Sequence, residues 1–285
     1  MLFLNALSIT SHVTNWLITS RRPRILHIFD SACNLVNERR EVLSVVTPQI
    51  GNGPFNLVLD DDICFFDFLD IESPLILSSG QLALGDLTVS SADAELWDPR
   101  PGWELLHSKK DHLSRQISQL PLLKDQLVDL ALSFATDRNL QPLLSNFTSA
   151  LASARRSAAK TASTRLAGLG VGLTPSGDDF IVGALYAAWI LHPPEVAGGL
   201  AQAVAQAAAP QTTSLSAAWL KAASRGQAGV VWHNFFEALV SNAPLQIQET
   251  MKTILAVGET SGADALAGFT GVFVSGRDKV DFSHG

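Results

Sequence analysis

Two neighbouring acidic residues at a predicted helix start are the first candidates for chemistry in this sequence. Asp178 and Asp179 follow a run rich in glycine, and Thr174 and Ser176 place hydroxyl groups beside them. Carboxylates accept hydrogen bonds and bind Mg²⁺, whereas the free amides and the dipole of a helix start favour an anion. The stretch therefore predicts a polar site, which either holds a cation that bridges to an anionic substrate or carries carboxylates that only complement the dipole.

The same stretch carries the signals of a helix N-terminus. Its glycines permit positive φ angles and a close approach of a ligand to the main chain. Thr174 followed by Pro175 predicts an N-cap and a first helical residue, and the helix is predicted over 175–191, ending before Pro193. The residues of this start that we predict to bind substrate are Gly170, Gly172, Thr174, Ser176 and Gly177, and the predicted catalytic residues are Asp178 and Asp179.

A second copy of this signature lies near the C-terminus. Ser261-Gly262-Ala263-Asp264 repeats the order Ser176-Gly177-Asp178-Asp179, and Gly183 and Gly268 follow the two copies at the same distance. We expect two helix starts that face one cleft, with the later glycines letting the helices approach closely. The alternative is that Ser-Gly begins many helices and that small residues only assist packing. On the first interpretation, the site is completed by Ser261, Gly262 and Asp264.

The chemistry of these residues suits a small anionic or amide-bearing substrate. Amides and hydroxyls supply donors, and aspartates accept hydrogen bonds from N–H groups. Electrostatic stabilisation and positioning are sufficient for a group transfer without a covalent intermediate. No cofactor is predicted outright, and Mg²⁺ held by Asp178 and Asp179 is left as a candidate.

Familiar catalytic and nucleotide-binding motifs do not occur in the sequence. The glycine run follows a helical pattern rather than a strand, and no Gly-Lys-Ser/Thr ends it. No serine has the Gly-x-Ser-x-Gly elbow of acyl transfer, and His107 and His112 lack the spacing of two ligands on one helix face. The predicted site is therefore neither a P-loop nor a Ser-His-Asp triad.

Two regions of different composition must position these residues. Between about Arg24 and Trp97, short β-like runs alternate with turn residues, and their close spacing predicts antiparallel pairing. From Glu104 onward, Ala, Leu, Gln and Ser dominate and apolar residues recur at helical spacing. The predicted fold is α+β: an N-terminal antiparallel β sandwich or barrel-like domain over 1–102, followed by a mainly α-helical domain over 103–285.

Individual elements are predicted from the same patterns. The β-like runs lie at 25–29, 42–46, 55–59 and 63–68. The helices are predicted at 103–120, 122–135, 141–166, 175–191, 194–209, 215–224, 227–241, 245–255 and 263–274.

Composition limits the classes of partner. The chain has 285 residues, 47% of them hydrophobic, and a net charge of −7 without a long basic cluster, which argues against nucleic acid and anionic membrane as partners. Two cysteines give no disulfide framework, and the N-terminus lacks the pattern of a secretory signal. The apolar run at 180–191 is too short to cross a bilayer. We expect a cytoplasmic protein that binds a small molecule and other protein subunits.

The run Gly170-Val171-Gly172-Leu173-Thr174-Pro175-Ser176-Gly177-Asp178-Asp179-Phe180 resembles the AllH-like family, long described as a domain of unknown function and linked to a subunit of oxamate carbamoyltransferase. The resemblance covers most of the chain. It also includes Gly53-Pro54-Phe55, the segment 94–101, Thr213 with Ser216, and the segment 258–264.

This resemblance implies a transferase subunit in the last steps of anaerobic allantoin breakdown, a branch of purine degradation. There, a complex of different subunits converts oxalurate and phosphate into oxamate and carbamoyl phosphate. The helix-start loop would then contact phosphate or carboxylate groups. The competing hypothesis is a non-catalytic scaffold or a regulatory subunit that binds a metabolite, and a Mg²⁺-dependent phosphotransferase is a third.

Overall fold

Residues 1–78, 80–117 and 140–277 are the part of the chain that the computed structural model describes. Their contacts divide them into two units. The first consists of Met1–Pro99 together with Ala228–Val230, and the second contains the rest of the described residues. The helix predicted at 122–135 lies outside these residues.

The first unit is built on a mixed β-sheet that curves into a nearly closed barrel. Its strands are β1 (Leu2–Ile9), β2 (Arg24–Ile28), β3 (Ala32–Val36), β4 (Val42–Val46), β5 (Asn56–Leu59), β6 (Leu75–Ser78), β7 (Gln81–Leu84), β8 (Leu87–Ser90) and β9 (Glu95–Leu96). Their order in the sheet is β2-β3-β4-β5-β1-β8-β7-β6, with β9 paired to β1. The predicted fold class is confirmed, although β1–β8, β1–β9 and β4–β5 pair in parallel, so the sheet is not wholly antiparallel.

Alternate residues of the strands form the core of this unit. Leu35, Leu43 and Leu57 on neighbouring strands are fully buried in one cluster, as the two-residue period of a strand requires. Helix α1 (Ser11–Thr19) adds Trp16 to the cluster. Because Thr10 caps α1 by accepting a hydrogen bond from the Val13 N–H, the helix starts directly after β1.

The second unit is helical. Its helices are α2 (Trp103–Ser108), α3 (Lys110–Ile117), α4 (Leu140–Ala152), α5 (Arg156–Leu166), α6 (Ser176–Leu191), α7 (Pro194–Ala208), α8 (Ser214–Ser224), α9 (Val230–Ser241), α10 (Pro244–Leu255) and α11 (Ser261–Arg277). Helix α6 is apolar on all sides and buried along nearly its whole length, and it packs most extensively against α11. The helix that carries the first signature is therefore the centre of this unit.

Stacked and tilted aromatic rings hold α6 in place. The ring centroid of Tyr186 on α6 lies 5.0 Å from that of Trp232 on α9, and Trp232 lies 5.5 Å from Phe269 on α11. Trp103 of α2 lies 5.8 Å from Trp189 of α6. Such pairs add to the free energy gained from burying apolar surface, so they fix where the signatures are placed.

Several predicted elements differ from the structure. The strand predicted at 63–68 is wrong, because a single 3₁₀ turn at Phe65–Asp67 buries Phe65 there instead. The helix predicted at 141–166 is two helices, α4 and α5, since Ala154 between them adopts a φ of 52°. The helix predicted from 103 is likewise divided at Lys109. Within the described ranges, the structure contains no helix long and apolar enough to cross a membrane.

Candidate functional site

The two Ser-Gly-x-Asp signatures lie side by side at the starts of α6 and α11. The Oγ1 atom of Thr174 is 2.8 Å from the Oγ atom of Ser261, which joins the two starts directly. Further along, a Cβ at Gly183 would overlap the carbonyl oxygen of Ala265, and a Cβ at Gly268 would overlap that of Phe180. The two helices therefore pack with their starts together, at a distance that only glycine permits at both crossings.

Contacts between the two starts are reciprocal. The hydroxyl group of Ser261 faces the Asp179 carboxyl group, and the hydroxyl group of Ser176 faces that of Asp264. Each serine thus contacts the aspartate of the opposite signature. In the same way, Gly183 and Gly268 each contact the opposite helix. An approximate two-fold axis between α6 and α11 follows from this pattern.

The loop before α6 requires glycine at defined positions. Gly168 and Gly170 adopt φ angles of 74° and 111°, which disfavour any residue with a Cβ. A Cβ at Gly170 would also lie 2.8 Å from the backbone nitrogen of Ser176. At the tip of the loop, the side chain of Val171 is 92% exposed. The predicted substrate-binding residues Gly170 and Gly172 therefore lie in an exposed loop above the helix start.

Asp178 anchors this loop from inside the protein. It is 1% exposed, and its Oδ1 atom accepts a hydrogen bond of 3.1 Å from the Gly168 N–H. Its Oδ2 atom accepts a hydrogen bond from the Thr212 hydroxyl. At the other end of the loop, the Thr213 hydroxyl donates to the Leu173 carbonyl over 2.7 Å. Both oxygens of Asp178 are thus engaged within the chain.

The helix start itself differs from the predicted one. The N-cap position is Pro175, so the prediction of Thr174 as N-cap is wrong, and the Thr174 side chain bonds Ser261 instead. The N–H of Gly177 donates to the Leu169 carbonyl over 2.9 Å, and that of Asp178 donates to the Pro175 carbonyl over 2.8 Å. An anion at this start would consequently depend on hydroxyl groups and loop amides rather than on these two amides.

The glycines inside the signatures serve close packing. A Cβ at Gly177 would overlap the Leu166 carbonyl oxygen, and one at Gly262 would overlap that of Ile254. The N–H of Gly262 donates to the Val257 carbonyl over 3.0 Å. Each signature therefore fits against the end of the helix that precedes it.

Asp179 and Asp264 are the two carboxyl groups between the helix starts. The pKa of Asp179 is raised to about 8: burial is the largest cause, the hydroxyls of Ser261 and Thr174 oppose the rise, and the negative charges of Asp264 and Asp178 add to it. Burial also raises the pKa of Asp264 and of Asp178. A pKa near 8 means that Asp179 keeps its proton at neutral pH and is a carboxylic acid.

The sequence offers two carboxyl groups, Asp178 and Asp179, as ligands of the suggested Mg²⁺ ion. Among the residues that the structure describes, no group of three or more His, Cys, Asp and Glu side chains is placed to hold a metal ion. Mg²⁺ prefers octahedral coordination by oxygen, and both Asp178 oxygens already accept hydrogen bonds.

Two threonines that shape the site are not among the predicted site residues, although the sequence places Thr212 in a hydroxyl-rich run, 212–216, that either lines the same cleft or caps a helix. The Thr212 hydroxyl donates to Asp178, and the Thr260 hydroxyl faces Asp264, where it opposes the rise in pKa that burial causes. Thr212 precedes a helix start, a position at which a hydroxyl is ordinarily assigned to capping, and Thr260 directly precedes the second signature. Neither position in the sequence reveals which carboxyl group the hydroxyl reaches.

The fold and site define a protein with a barrel-like β unit and a helical unit that carries paired Ser-Gly-x-Asp helix starts. Residues 5–96 match a family model described as the AllH family N-terminal domain, and residues 166–273 match one described as oxamate carbamoyltransferase subunit AllH. The second match includes both signatures. This chain belongs to the AllH family. No solved structure matches it.

Proposed function

We propose that this chain is a subunit of a carbamoyltransferase of the oxamate carbamoyltransferase type and that it contributes the substrate site. The reaction converts oxalurate and phosphate into oxamate and carbamoyl phosphate. A phosphate oxygen bonds to the ureido carbonyl carbon, the bond from that carbon to the oxamate nitrogen breaks, and the nitrogen takes up a proton. The observation that carries the proposal is the pairing of the two signatures at one place in a member of this family.

The groups that would bind the substrate are part-exposed hydroxyls and exposed loop amides. Thr174, Ser176 and Ser261 are each partly accessible, and Gly170 and Gly172 are exposed. Hydroxyl and amide donors suit the carboxylate of oxalurate and the oxygens of phosphate. Asp179 adds a proton donor beside them. Together these groups match a small molecule that carries both negative charge and amide N–H groups.

One observation favours the alternative of a non-catalytic scaffold or a metabolite-binding regulatory subunit. The amides of Gly177 and Asp178 and both oxygens of Asp178 are already bonded within the chain. A helix start whose polar groups are already bonded within the chain stabilises the fold without needing a ligand. In that case the reacting centre would lie in a partner subunit.

Turnover by the assembled complex tests the proposal. The chain is produced with its candidate partner subunits, and phosphate-dependent cleavage of oxalurate is followed for wild type, Thr174→Ala and Ser261→Ala. We expect KM for oxalurate or phosphate to rise about tenfold in each variant, because a hydrogen bond to a charged group is lost.

Thr253→Ala is the matched control. Thr253 is exposed on α10, and its hydroxyl donates to the Glu249 carbonyl of the same helix. Unchanged KM and kcat in both site variants, in an intact complex, would assign the chain to the scaffold alternative.

A further inference from the structure

The Oδ2 atoms of Asp179 and Asp264 are buried between the two helix starts without a hydrogen-bond partner among the described residues. Asp264 is 4% exposed. An unpaired carboxylate oxygen in such a place is costly, and two like charges at one buried site cannot both persist. One carboxyl group must therefore carry a proton.

The other groups around this pair do not supply a positive charge. The acidic groups that act on Asp179 are Asp264 from α11 and Asp178 from its own helix, while burial and then the charge of Asp179 raise the pKa of Tyr186. The remaining groups that act on the two carboxyl groups are the hydroxyls of Thr174, Ser176, Thr260 and Ser261. Within the described part of the chain, no Lys, Arg or His contributes to the charge balance of Asp179 or Asp264.

We propose that Asp179 and Asp264 hold one proton between them, and that Asp179 is the acid that gives this proton to the departing oxamate nitrogen. The role of Asp179 as the acid rests on the proposed function. The phosphate enters as HPO₄²⁻, its oxygen forms the new bond to carbon, and the bond from carbon to nitrogen breaks. The nitrogen takes the proton of the pair, and the proton that phosphate loses returns to the pair. The pair thus ends the reaction with one proton, as it began.

Asp179 rather than Asp264 is the donor because of its position. It is partly accessible, whereas Asp264 is buried, and it lies beside the hydroxyls of Thr174 and Ser261, which join the two helix starts. Asp264 is a positioning residue that keeps the proton on its partner. The reciprocal serines, Ser176 and Ser261, hold the two carboxyl groups in their places.

A titration of the isolated full-length chain tests the shared proton without any assay of activity. Aspartate is labelled with ¹³C in its carboxyl group, and the carboxyl resonances are followed by NMR from pH 4 to pH 9. We expect wild type to show one carboxyl group that stays protonated above pH 7, and Asp179→Asn to lack it. In Asp264→Asn, the carboxyl group of Asp179 should titrate at a lower pH.

Asp111→Asn is the matched control, since Asp111 is an exposed aspartate in the first turn of α3. This variant should still show the carboxyl group that stays protonated above pH 7. The wild-type titration is decisive even if the variants fail to fold: if every carboxyl group titrates in the ordinary acidic range, the shared proton is disproved.

Turnover by the assembled complex tests the role of Asp179 as the general acid. We expect Asp179→Asn to lower kcat about 100-fold with KM for oxalurate changed less than threefold, because a general acid is lost while binding is kept. In wild type, kcat should fall above about pH 8, and Asp264→Asn should move this fall to lower pH.

The outcomes separate the two proposals. A protonated pair with undiminished kcat in Asp179→Asn would overturn the general acid and leave the carbamoyltransferase intact. An assembled wild-type complex that does not cleave oxalurate would overturn the proposed function, and the NMR titration would still decide whether the proton is shared.

Discussion

The helix starts at Ser176 and Ser261 carry the same signature, but the chain enters them differently. Before α6 runs a loop with three left-handed glycines and an exposed tip, whereas a shorter turn with one left-handed glycine, Gly258, leads into α11. The position after Ser-Gly is Asp178 in the first copy and Ala263 in the second. Asp178 bonds the loop, and Ala263 is a buried packing residue.

This difference separates two functions of the signature. Serine, glycine and the final aspartate are shared: the serine and the aspartate contact the opposite copy, and the glycine packs against the end of the preceding helix. Asp178 and the glycine loop are found in one copy only, and they place accessible groups at the shared start. The pair of helices is therefore the support, and under the proposed function the loop supplies the binding groups that a packing motif lacks.

The largest effect is expected where a substitution disrupts the close packing of α6 against α11. Gly268→Ala forces a Cβ into the backbone of α6 at Phe180, so α11 must move. We expect a loss of about 3 kcal/mol or more in the free energy of unfolding, measured by urea titration of the full chain. Gly183→Ala should behave alike, because the contact is reciprocal.

Gly199→Ala is the control for this prediction. Gly199 also lies within a helix, α7, but no atom lies within 4 Å of its Cβ position. It should gain about 0.5 to 1 kcal/mol from the better helix propensity of alanine. Equal stabilities of Gly268→Ala and Gly199→Ala would contradict the close packing.

The next largest effect is expected at Asp178, which only the first copy of the signature contains. Asp178→Ala removes the acceptor of the Gly168 N–H and of the Thr212 hydroxyl. We expect a loss of about 2 kcal/mol and faster amide exchange in the loop, measured by urea unfolding and hydrogen exchange. Asp111→Ala, at an exposed helix start, should change stability by less than about 0.5 kcal/mol.

A third prediction concerns pH. The pKa of Asp179 is raised to about 8, so between its ordinary range and pH 8 the folded chain binds one more proton than the unfolded chain. The stability that this proton contributes is complete at low pH and is lost as pH rises through about 8. Between pH 5 and pH 7, wild type should lose about 1.4 kcal/mol per pH unit more than Asp179→Asn.

The carboxyl groups that do not act on Asp179 remain unchanged in both proteins, so their contributions cancel in this difference. Asp111→Asn should follow wild type. Parallel stability curves for wild type and Asp179→Asn would show that Asp179 titrates normally in the folded chain.

The smallest effects are expected at the loop tip. Gly172 has a φ of 93° with no atom within 4 Å of its Cβ position, so Gly172→Ala should cost only the backbone strain of about 1 to 2 kcal/mol. Val171→Ser exchanges an exposed side chain and should change stability by less than about 0.5 kcal/mol. A larger loss for Val171→Ser, by thermal unfolding, would mean that the tip packs against the protein.

The change in composition near residue 100 was enough to predict the fold class, because strands and helices place apolar residues with different periods. The pairing within the sheet was not predictable in the same way. β1 pairs in parallel with β8, and this register depends on distant segments rather than on local pattern. The 9-residue helix α1 was missed because it is stabilised by the Thr10 cap and the burial of Trp16 rather than by a long apolar period.

At the site, repetition in the sequence predicted which residues come together, but not what each carboxyl group does. Asp178 and Asp179 are identical neighbours in the sequence, yet successive residues of a helix point about 100° apart. One therefore faces Thr212 and the loop, and the other faces α11. Only the packing of the helices distinguishes them.

The crossing of α6 and α11 also has an evolutionary consequence. Because Gly183 meets Ala265 and Gly268 meets Phe180, a larger residue at either glycine moves a whole helix and disturbs the opposite crossing too. The two copies of the signature cannot diverge independently at these positions. Related sequences should vary there in a correlated manner, with change at one crossing accompanied by change at the other.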